Sequence, residues 1–109
     1  MARSSTSEKL LIEEIARVAK KAREVSRGLG IGSFIKMIRK QLGMTQKILS
    51  KRAGIPQSTV SRLEKNVGRA TFSTLNKVVQ ALSCELVILP MLLESIDRIR
   101  RKQAKKLAE

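Results

Sequence analysis

Hydrophobic residues recur at helical spacing along much of the chain, and the clearest pattern lies between residues 43 and 66. Apolar positions three and four residues apart predict two short helices there, separated by a turn. The predicted inward-facing residues are Ile48, Leu49 and Ala53 in the first helix and Val60 and Leu63 in the second.

The junction between these two helices carries residues suited to a tight turn. Thr45 can cap the first helix with its hydroxyl, and Gly54 can adopt the positive φ angle that ends it. Pro56 fits the first turn of the next helix because it has no amide hydrogen to leave unbonded. Two helices joined in this way are typical of a helix-turn-helix, whose second helix enters the major groove of double-stranded DNA.

The outward face of the second helix is polar. Its amide and guanidinium groups match the edges of adenine and guanine through paired hydrogen bonds. For its two serines, a solvated or phosphate-facing hydroxyl is as good an interpretation as a base contact. The predicted base-contacting residues are Gln57, Ser58, Ser61 and Arg62.

Residues 66–71 form a polar loop after this helix, and we expect the loop to lie against the DNA backbone. Lys65 and Arg69 would then contact phosphates and add affinity without sequence information. Ser73 can cap a further helix that runs through Leu82.

The N-terminal region predicts a separate amphipathic helix that Ser5 can cap. Its apolar positions are Leu11, Ile15, Val18, Ala22 and Val25. Packing on its own domain is as good an interpretation as dimerisation or binding of another protein. The glycine-rich segment 28–32 that follows is interpreted as a flexible hinge, so residues 1–30 form a first region.

Residues 84–89 are rich in β-branched side chains and stop at Pro90, which predicts a short strand. The same strand of a second copy is the simplest partner, in an antiparallel pair about a two-fold axis. The predicted dimerisation residues are Glu85, Leu86, Val87, Ile88 and Leu89. A dimer would carry two recognition helices and bind a pseudo-palindromic operator with half-sites about one helical turn apart.

The C-terminal region, residues 91–109, begins as an amphipathic helix and ends in a basic tail. We expect packing near its start and disorder near its end, with phosphate contacts by the basic end as the alternative. The predicted domains are therefore 1–30, the DNA-binding domain with its strand at 31–90, and the tail at 91–109.

Composition narrows the possible partners. The 109 residues carry 23 basic and 9 acidic side chains, a net charge of +14, and residues 31–90 hold 10 of the basic and 2 of the acidic ones. Such charge favours polyanions but does not by itself distinguish DNA from RNA or an anionic membrane. With no Tyr or Trp and only two Phe, a stacking platform for RNA is a minor alternative.

The chain lacks the residues of a catalytic or metal site. With no His and one Cys, it has no zinc-finger ligand set, no histidine base and no intramolecular disulfide. We therefore expect no catalytic residues, cofactor or metal, and no enzyme activity. No apolar run has the length of a membrane span or secretion signal, so we expect a cytoplasmic protein without membrane contact.

The residues from Phe34 to Leu89 resemble the Cro and phage-repressor (XRE) helix-turn-helix family. The resemblance rests on Thr45-Gln46, the Gly54 turn and the recognition sequence from Ser58 to Glu64. It implies that Gln46 holds a phosphate and braces Gln57, and that Arg39 and Glu64 form a structural ion pair. The predicted phosphate-contacting residues are then Gln46, Lys47, Thr59, Lys65 and Arg69.

The strand and the helix before it also look like DNA-binding antitoxins of the HipB type. That resemblance implies autorepression and association with a HipA-like or HipT-like kinase toxin. The predicted fold is all-α, a five-helix lambda-repressor-like helix-turn-helix domain with helical extensions at both ends and one short C-terminal strand pairing across a dimer. Two alternatives to a sequence-specific regulator stay open, a module that mainly binds a toxin and a non-specific DNA-coating protein.

Overall fold

The structure is a computed structural model that describes residues 6–66 and 68–108, and the regular structure of these residues is entirely helical. The described chain divides into two compact units. One unit comprises residues 28–87, and the other combines the residues up to Arg27 with those from Ile88 onward. The helices are α1 (Thr6–Ser26), α2 (Ile31–Gln41), α3 (Gln46–Ala53), α4 (Gln57–Lys65), α5 (Phe72–Ala81) and α6 (Ile96–Ala108).

Helices α2 to α5 of the unit 28–87 share one apolar core. Each helix contributes at least one side chain that is removed from solvent, and half-buried residues such as Met44 and Ile55 complete the packing. Leu49 is buried and Ala53 half-buried as predicted, but Ile48 is 39% exposed, so its predicted inward position is wrong. The buried core residues are Ile35, Leu49, Val60, Leu63, Val78, Val79 and Leu82.

The turn between α3 and α4 is fixed by local hydrogen bonds. Gly54 has φ +70°, and its amide donates to the carbonyl of Ser50 at 2.9 Å. The Ser50 hydroxyl donates to the Ile55 carbonyl at 2.8 Å. This bond fixes the backbone of Ile55, whose side chain packs against the core. Pro56 lies at the position before α4 rather than inside its first turn, with its carbonyl accepting from Thr59 and Val60.

Side-chain caps begin α3 and α5. The Thr45 hydroxyl accepts from the Ile48 amide at 3.1 Å, as the sequence predicted. At α5 the cap is Thr71, which accepts from the Thr74 amide at 3.1 Å, whereas the predicted cap Ser73 lies inside the helix. Thr71 is preferred because its extended backbone directs the hydroxyl at the free amides of the first turn.

Gly32 brings the backbones of α2 and α4 together. It is buried inside α2, and a Cβ atom at this position would overlap the carbonyl oxygen of Leu63 and lie 3.2 Å from that of Glu64. Gly28 and Gly30 have open space around them. The hinge interpretation therefore does not apply to Gly32, whose lack of a side chain permits a close helix crossing.

The helix count of the domain corrects one expectation, and the segment after α5 leaves another untested. Between residues 31 and 81 the domain has four helices, one fewer than the five predicted, although the all-helical fold with extensions at both ends is confirmed. Residues 84–90 are neither helix nor strand in this single chain. A strand requires hydrogen bonds to a neighbouring strand, which was expected to come from a second copy, so that pairing stays a prediction.

The second unit contains α1 and α6. Ala16 is the only buried apolar residue among its described positions, and an ion pair at 3.0 Å joins Lys9 of α1 to Asp97 of α6. Helix α6 continues to Ala108, so the disorder expected near its end is not seen in the described residues. The predicted cap of α1, Ser5, lies outside the described residues.

Candidate nucleic-acid interface

Helix α4 has one face locked into the domain and one face open to solvent. Val60, Leu63 and Glu64 point inward and are at most 7% exposed. The other side carries the polar residues predicted to contact DNA, because the two sets differ by about half a turn of the helix. Gln57, Ser58, Arg62 and Lys65 are exposed, and Thr59 and Ser61 are half-buried.

A buried ion pair fixes α4 against α2. Arg39 Nε donates to Glu64 Oε2 at 2.6 Å, and Arg39 Nη2 donates to Glu64 Oε1 at 2.9 Å. The guanidinium also donates through Nη1 to the carbonyl of Met44 at 2.8 Å, just before α3. This paired geometry uses the planar fork of arginine, so the structure brings together the two residues that the family resemblance associates.

The electrostatic environment keeps Glu64 ionised. Burial raises the pKa of its carboxyl. Hydrogen bonds from Arg39 and Gln46 and the positive charges of Arg39 and Lys36 lower that pKa, and together they outweigh burial. The net pKa therefore lies below its usual value. The hydrogen bond to Glu64 likewise raises the pKa of Arg39. Both groups are therefore charged at neutral pH, and their role is structural.

Gln46 joins the same network. Its side-chain amide donates to Glu64 Oε1 at 3.1 Å, so Gln46 braces Glu64 rather than Gln57 as the resemblance implied. The side chain is half-buried at the start of α3. The amide nitrogen carries two hydrogens, so its second N–H can still donate to a phosphate, and the side-chain oxygen can accept a further hydrogen bond.

A cleft of about 340 Å³ lies beside α4, between this helix and the start of α5. Arg62 Nη2 donates to Thr59 Oγ1 across 3.4 Å, a long bond that a stronger acceptor would displace. Three residues that were predicted to contact DNA line this cleft, namely Thr59, Arg62 and Arg69. Its lining also includes polar residues that the sequence interpretation did not name as contacts. These are Asn66 and Thr71 at the ends of the loop 66–71 and Thr74 in α5.

Two signals in the sequence pointed toward these missed residues. Thr71 and Thr74 have the spacing of a helix cap and its partner, which places hydroxyls at the N-terminal end of α5. Asn66 Oδ1 accepts from the Gly68 amide at 3.0 Å, as asparagine commonly does in turns. Lys47 and Lys65 are exposed on the helices that flank the cleft and the open face.

The predicted dimerisation segment is largely exposed. Val87 and Ile88 are 64% and 69% exposed, and Glu85 and Leu89 are also exposed, while Leu86 is half-buried against the domain core. Consecutive exposed apolar residues outside a helix leave both side chains and backbone groups available to a partner.

The side chains that could bind a metal ion are few and scattered in the described residues. These residues contain no group of three or more metal-ligating side chains. The thiol of Cys84 is half-buried and donates to the carbonyl of Leu82 at 3.4 Å. Among the described residues, no helix combines the length and apolar character that a bilayer span demands.

Comparison with known proteins gives results consistent with this geometry. The model of a helix-turn-helix family matches residues 35–89. Antitoxin HipB from Escherichia coli (strain K12) is 34% identical over 58 residues, which cover 53% of this chain and 66% of that protein. Antitoxin HipB from Escherichia coli O6:H1 (strain CFT073) is 33% identical over 58 residues, covering 53% and 62%. The chain thus spans slightly less than two thirds of these relatives.

Two solved structures share the fold. A chain described as MDT Protein aligns with a TM-score of 0.50 at 34% identity, covering 53% of this chain and 82% of its own. A chain of a HipB-O1-O2 complex aligns with the same TM-score and identity, covering 53% and 84%.

Proposed function

Because this chain belongs to the XRE type of the helix-turn-helix family, we propose that it is a sequence-specific, double-stranded DNA-binding transcriptional regulator. More narrowly, it acts as a HipB-like antitoxin and autorepressor that binds a pseudo-palindromic operator as a dimer. It works by occupying DNA rather than by catalysing a reaction.

One observation carries this proposal. The inward residues of α4 are held by the core and by the Arg39–Glu64 pair, so the helix presents its polar face in a fixed direction. That face offers the amide of Gln57 and the guanidinium of Arg62 at exposed positions. A rigid helix with amide and guanidinium groups on its free side meets the requirement for reading base edges in a major groove.

Residues around the helix divide into two roles. Gln57, Ser58, Ser61 and Arg62 read base edges from the open face. Phosphate contacts come from the cleft and its surroundings, where α5 begins with free amides that favour an anion. The phosphate-contacting group consists of Gln46, Lys47, Thr59, Lys65 and Arg69.

The similar proteins support the narrower part of the proposal. Two are antitoxins named HipB, and one structure is a HipB-O1-O2 complex, in which we take O1 and O2 to be operator sites. By that analogy the chain neutralises or assembles with a HipA-like or HipT-like kinase toxin and represses its own operon. Copurification with the product of a neighbouring kinase gene would favour toxin binding as its main task.

The proposed dimer uses the exposed segment 85–89. Val87→Pro removes a backbone donor from the predicted strand pair. We expect this variant to lose affinity for a two-site operator while keeping its affinity for a single half-site, measured by fluorescence anisotropy. Equal retention of both affinities would exclude strand pairing from operator binding.

The test of the whole proposal is a selection of bound sites from random duplex DNA at about 150 mM salt, where non-specific charge binding is partly suppressed. Enrichment of two inverted half-sites about one helical turn apart is the expected result. The absence of any enriched sequence would instead indicate a non-specific DNA-coating protein.

Two variants then separate the two roles on the selected site. Arg62→Ala is expected to cost about 1 to 3 kcal/mol on that site and little on random DNA, because it removes a base contact. Arg69→Ala, the matched control, should weaken binding to both DNAs alike because it removes a phosphate contact. Identical behaviour of the two variants in anisotropy titrations would contradict the assigned roles.

A further inference from the structure

Helix α1 carries an apolar stripe that its own unit leaves largely exposed. We call Leu11, Ile15, Val18, Ala22 and Val25 the α1 seam. Their spacing of four, three, four and three residues is the heptad spacing that lines up one side of a helix for pairing with another. Leu11, Val18 and Val25 are 60%, 47% and 68% exposed, Ala22 is exposed as well, and Ile15 is half-buried.

The seam is not the face that α1 uses inside its unit. The buried residue of α1 is Ala16, and the ion pair to α6 comes from Lys9. These two positions point about 140° or more away from the centre of the seam, given 100° per residue. Helix α1 therefore has two contact directions, and the structure satisfies one of them.

The charges of α1 are distributed unevenly along its length. Its first half, residues 6–16, holds three acidic side chains and one basic, whereas residues 17–26 hold four basic and one acidic. Two copies of α1 side by side in parallel would place like charges together. An antiparallel pair instead places the acidic half of each helix beside the basic half of the other.

We propose that the α1 seam pairs antiparallel with the α1 seam of a second copy of this chain. With Ile15 facing Val18 and Leu11 facing Ala22 of the other copy, the apolar residues form mutual layers about a two-fold axis. In this register Glu14 lies beside Lys21 of the other copy on the flank of the seam. The pair covers Leu11, Val18 and Ala22, which each separate copy exposes to water, and completes the burial of Ile15.

This pairing is a self-association surface independent of the segment 85–89 and of DNA binding. The two surfaces use different residues. One chain can therefore bind a second copy through the α1 seam and a third copy through the segment 85–89. The inference consequently does not depend on the proposed function, and its test uses no DNA.

Disulfide trapping measures both the pairing and its direction. In a Cys84→Ala background, which removes the single native thiol, Leu11→Cys and Ala22→Cys are introduced together. Along one helix these positions are about 16 Å apart, too far for a bond within the chain. Antiparallel pairing brings them together between copies, so oxidation in a glutathione buffer should give a covalent dimer.

Matched controls use other positions of the same helix. The two single-cysteine variants should cross-link at least about tenfold less, because equal positions lie far apart in an antiparallel pair. The pair Leu10→Cys with Arg23→Cys has the same register but lies off the seam, so it should also stay uncrosslinked. Cross-linking of the single variants would mean parallel pairing, and no cross-linking of the double variant would overturn the proposal.

Sedimentation of full chains carrying Val87→Pro provides a second readout without cysteines. Leu11→Lys should weaken the remaining self-association by about tenfold or more, because it buries a charge among apolar and basic neighbours. Leu10→Lys is the control, since Leu10 is 61% exposed and differs from Leu11 only in direction. Equal effects of the two lysines would show that the seam does not mediate association.

Discussion

The unit 28–87 and the unit that contains α1 and α6 differ in how far their apolar side chains are buried. The first unit buries residues from four helices in one core, and the buried Arg39–Glu64 ion pair joins two of these helices. The second has Ala16 as its only buried apolar residue in the described chain, and exposed leucines and valines lie along its helices. The difference shows that the unit 28–87 has a core of its own, whereas the apolar side chains of the other unit are available for the association proposed above.

Breaking the buried charge pair should have the largest effect. Arg39→Ala leaves Glu64 buried without its partner, which is expected to cost about 3 to 5 kcal/mol of unfolding free energy. Asp97→Ala breaks the ion pair with Lys9 in the other unit, where the Asp97 side chain is 58% exposed and that of Lys9 is 32% exposed, and should not measurably change stability. Urea unfolding of both variants tests the contrast, and comparable losses would contradict it.

Shortening one leucine in each unit to alanine compares how much their apolar side chains contribute to the free energy of unfolding. Leu49 is fully buried, so Leu49→Ala should cost about 2 to 5 kcal/mol through lost packing and a cavity. Leu93, which is 86% exposed in the other unit, should lose no more than about 0.5 kcal/mol when changed to alanine. Thermal unfolding at low protein concentration distinguishes these outcomes.

The glycines near the boundary of the two units sharpen the comparison. Gly32→Ala forces a methyl group against the Leu63 carbonyl oxygen, and an overpacked site of this kind costs about 1 to 3 kcal/mol. Gly30 has ordinary φ and open space, so Gly30→Ala should change the unfolding free energy by less than about 1 kcal/mol. A neutral Gly32→Ala variant would mean that α2 and α4 do not approach so closely.

Acid should weaken the domain through Glu64, and this is the smallest effect. The folded pKa of Glu64 is lowered, so its contribution is complete above the usual carboxyl pKa and is lost as pH falls through the folded value. The stability advantage of the natural chain over Glu64→Gln should therefore shrink between neutral and acidic pH. Asp97→Asn is the exposed control, for which this pH dependence should be weaker.

Local features of the domain were predictable because they depend on neighbouring residues. The positive φ of Gly54, the cap at Thr45 and the inward pair Val60 and Leu63 all follow from short-range spacing. The polar face of α4 follows from the same periodicity, since residues absent from the inner side must lie on the outer one. These elements account for most of the fold between 43 and 66.

Contacts between distant residues could not be obtained from spacing. The Arg39–Glu64 pair joins positions 25 residues apart, and only the family resemblance indicated it. The bond from Gln46 to Glu64 spans 18 residues and replaced an expected contact with Gln57. Gly32 was interpreted as flexible because the carbonyl that excludes a side chain comes from another helix.

The segment 84–89 illustrates a different limit. Its β-branched composition describes a tendency to be extended, but a strand exists only when another strand bonds to it. The chain alone contains no second copy, so its sequence and its single-chain structure leave the pairing to experiment. For α1 the apolar spacing alone predicts association, and the uneven charge along the helix is what points to a second copy as the partner.

The separation of buried and exposed positions on α4 has a consequence for how such a protein changes over generations. Residues that hold the helix in place and residues that face outward are different side chains. Under the proposed function, DNA preference and thermodynamic stability can therefore vary independently. A substitution at Gln57, Ser58 or Arg62 leaves the core intact. Duplicated copies of the gene can therefore diverge toward distinct operators by single steps, each of which still yields a folded protein.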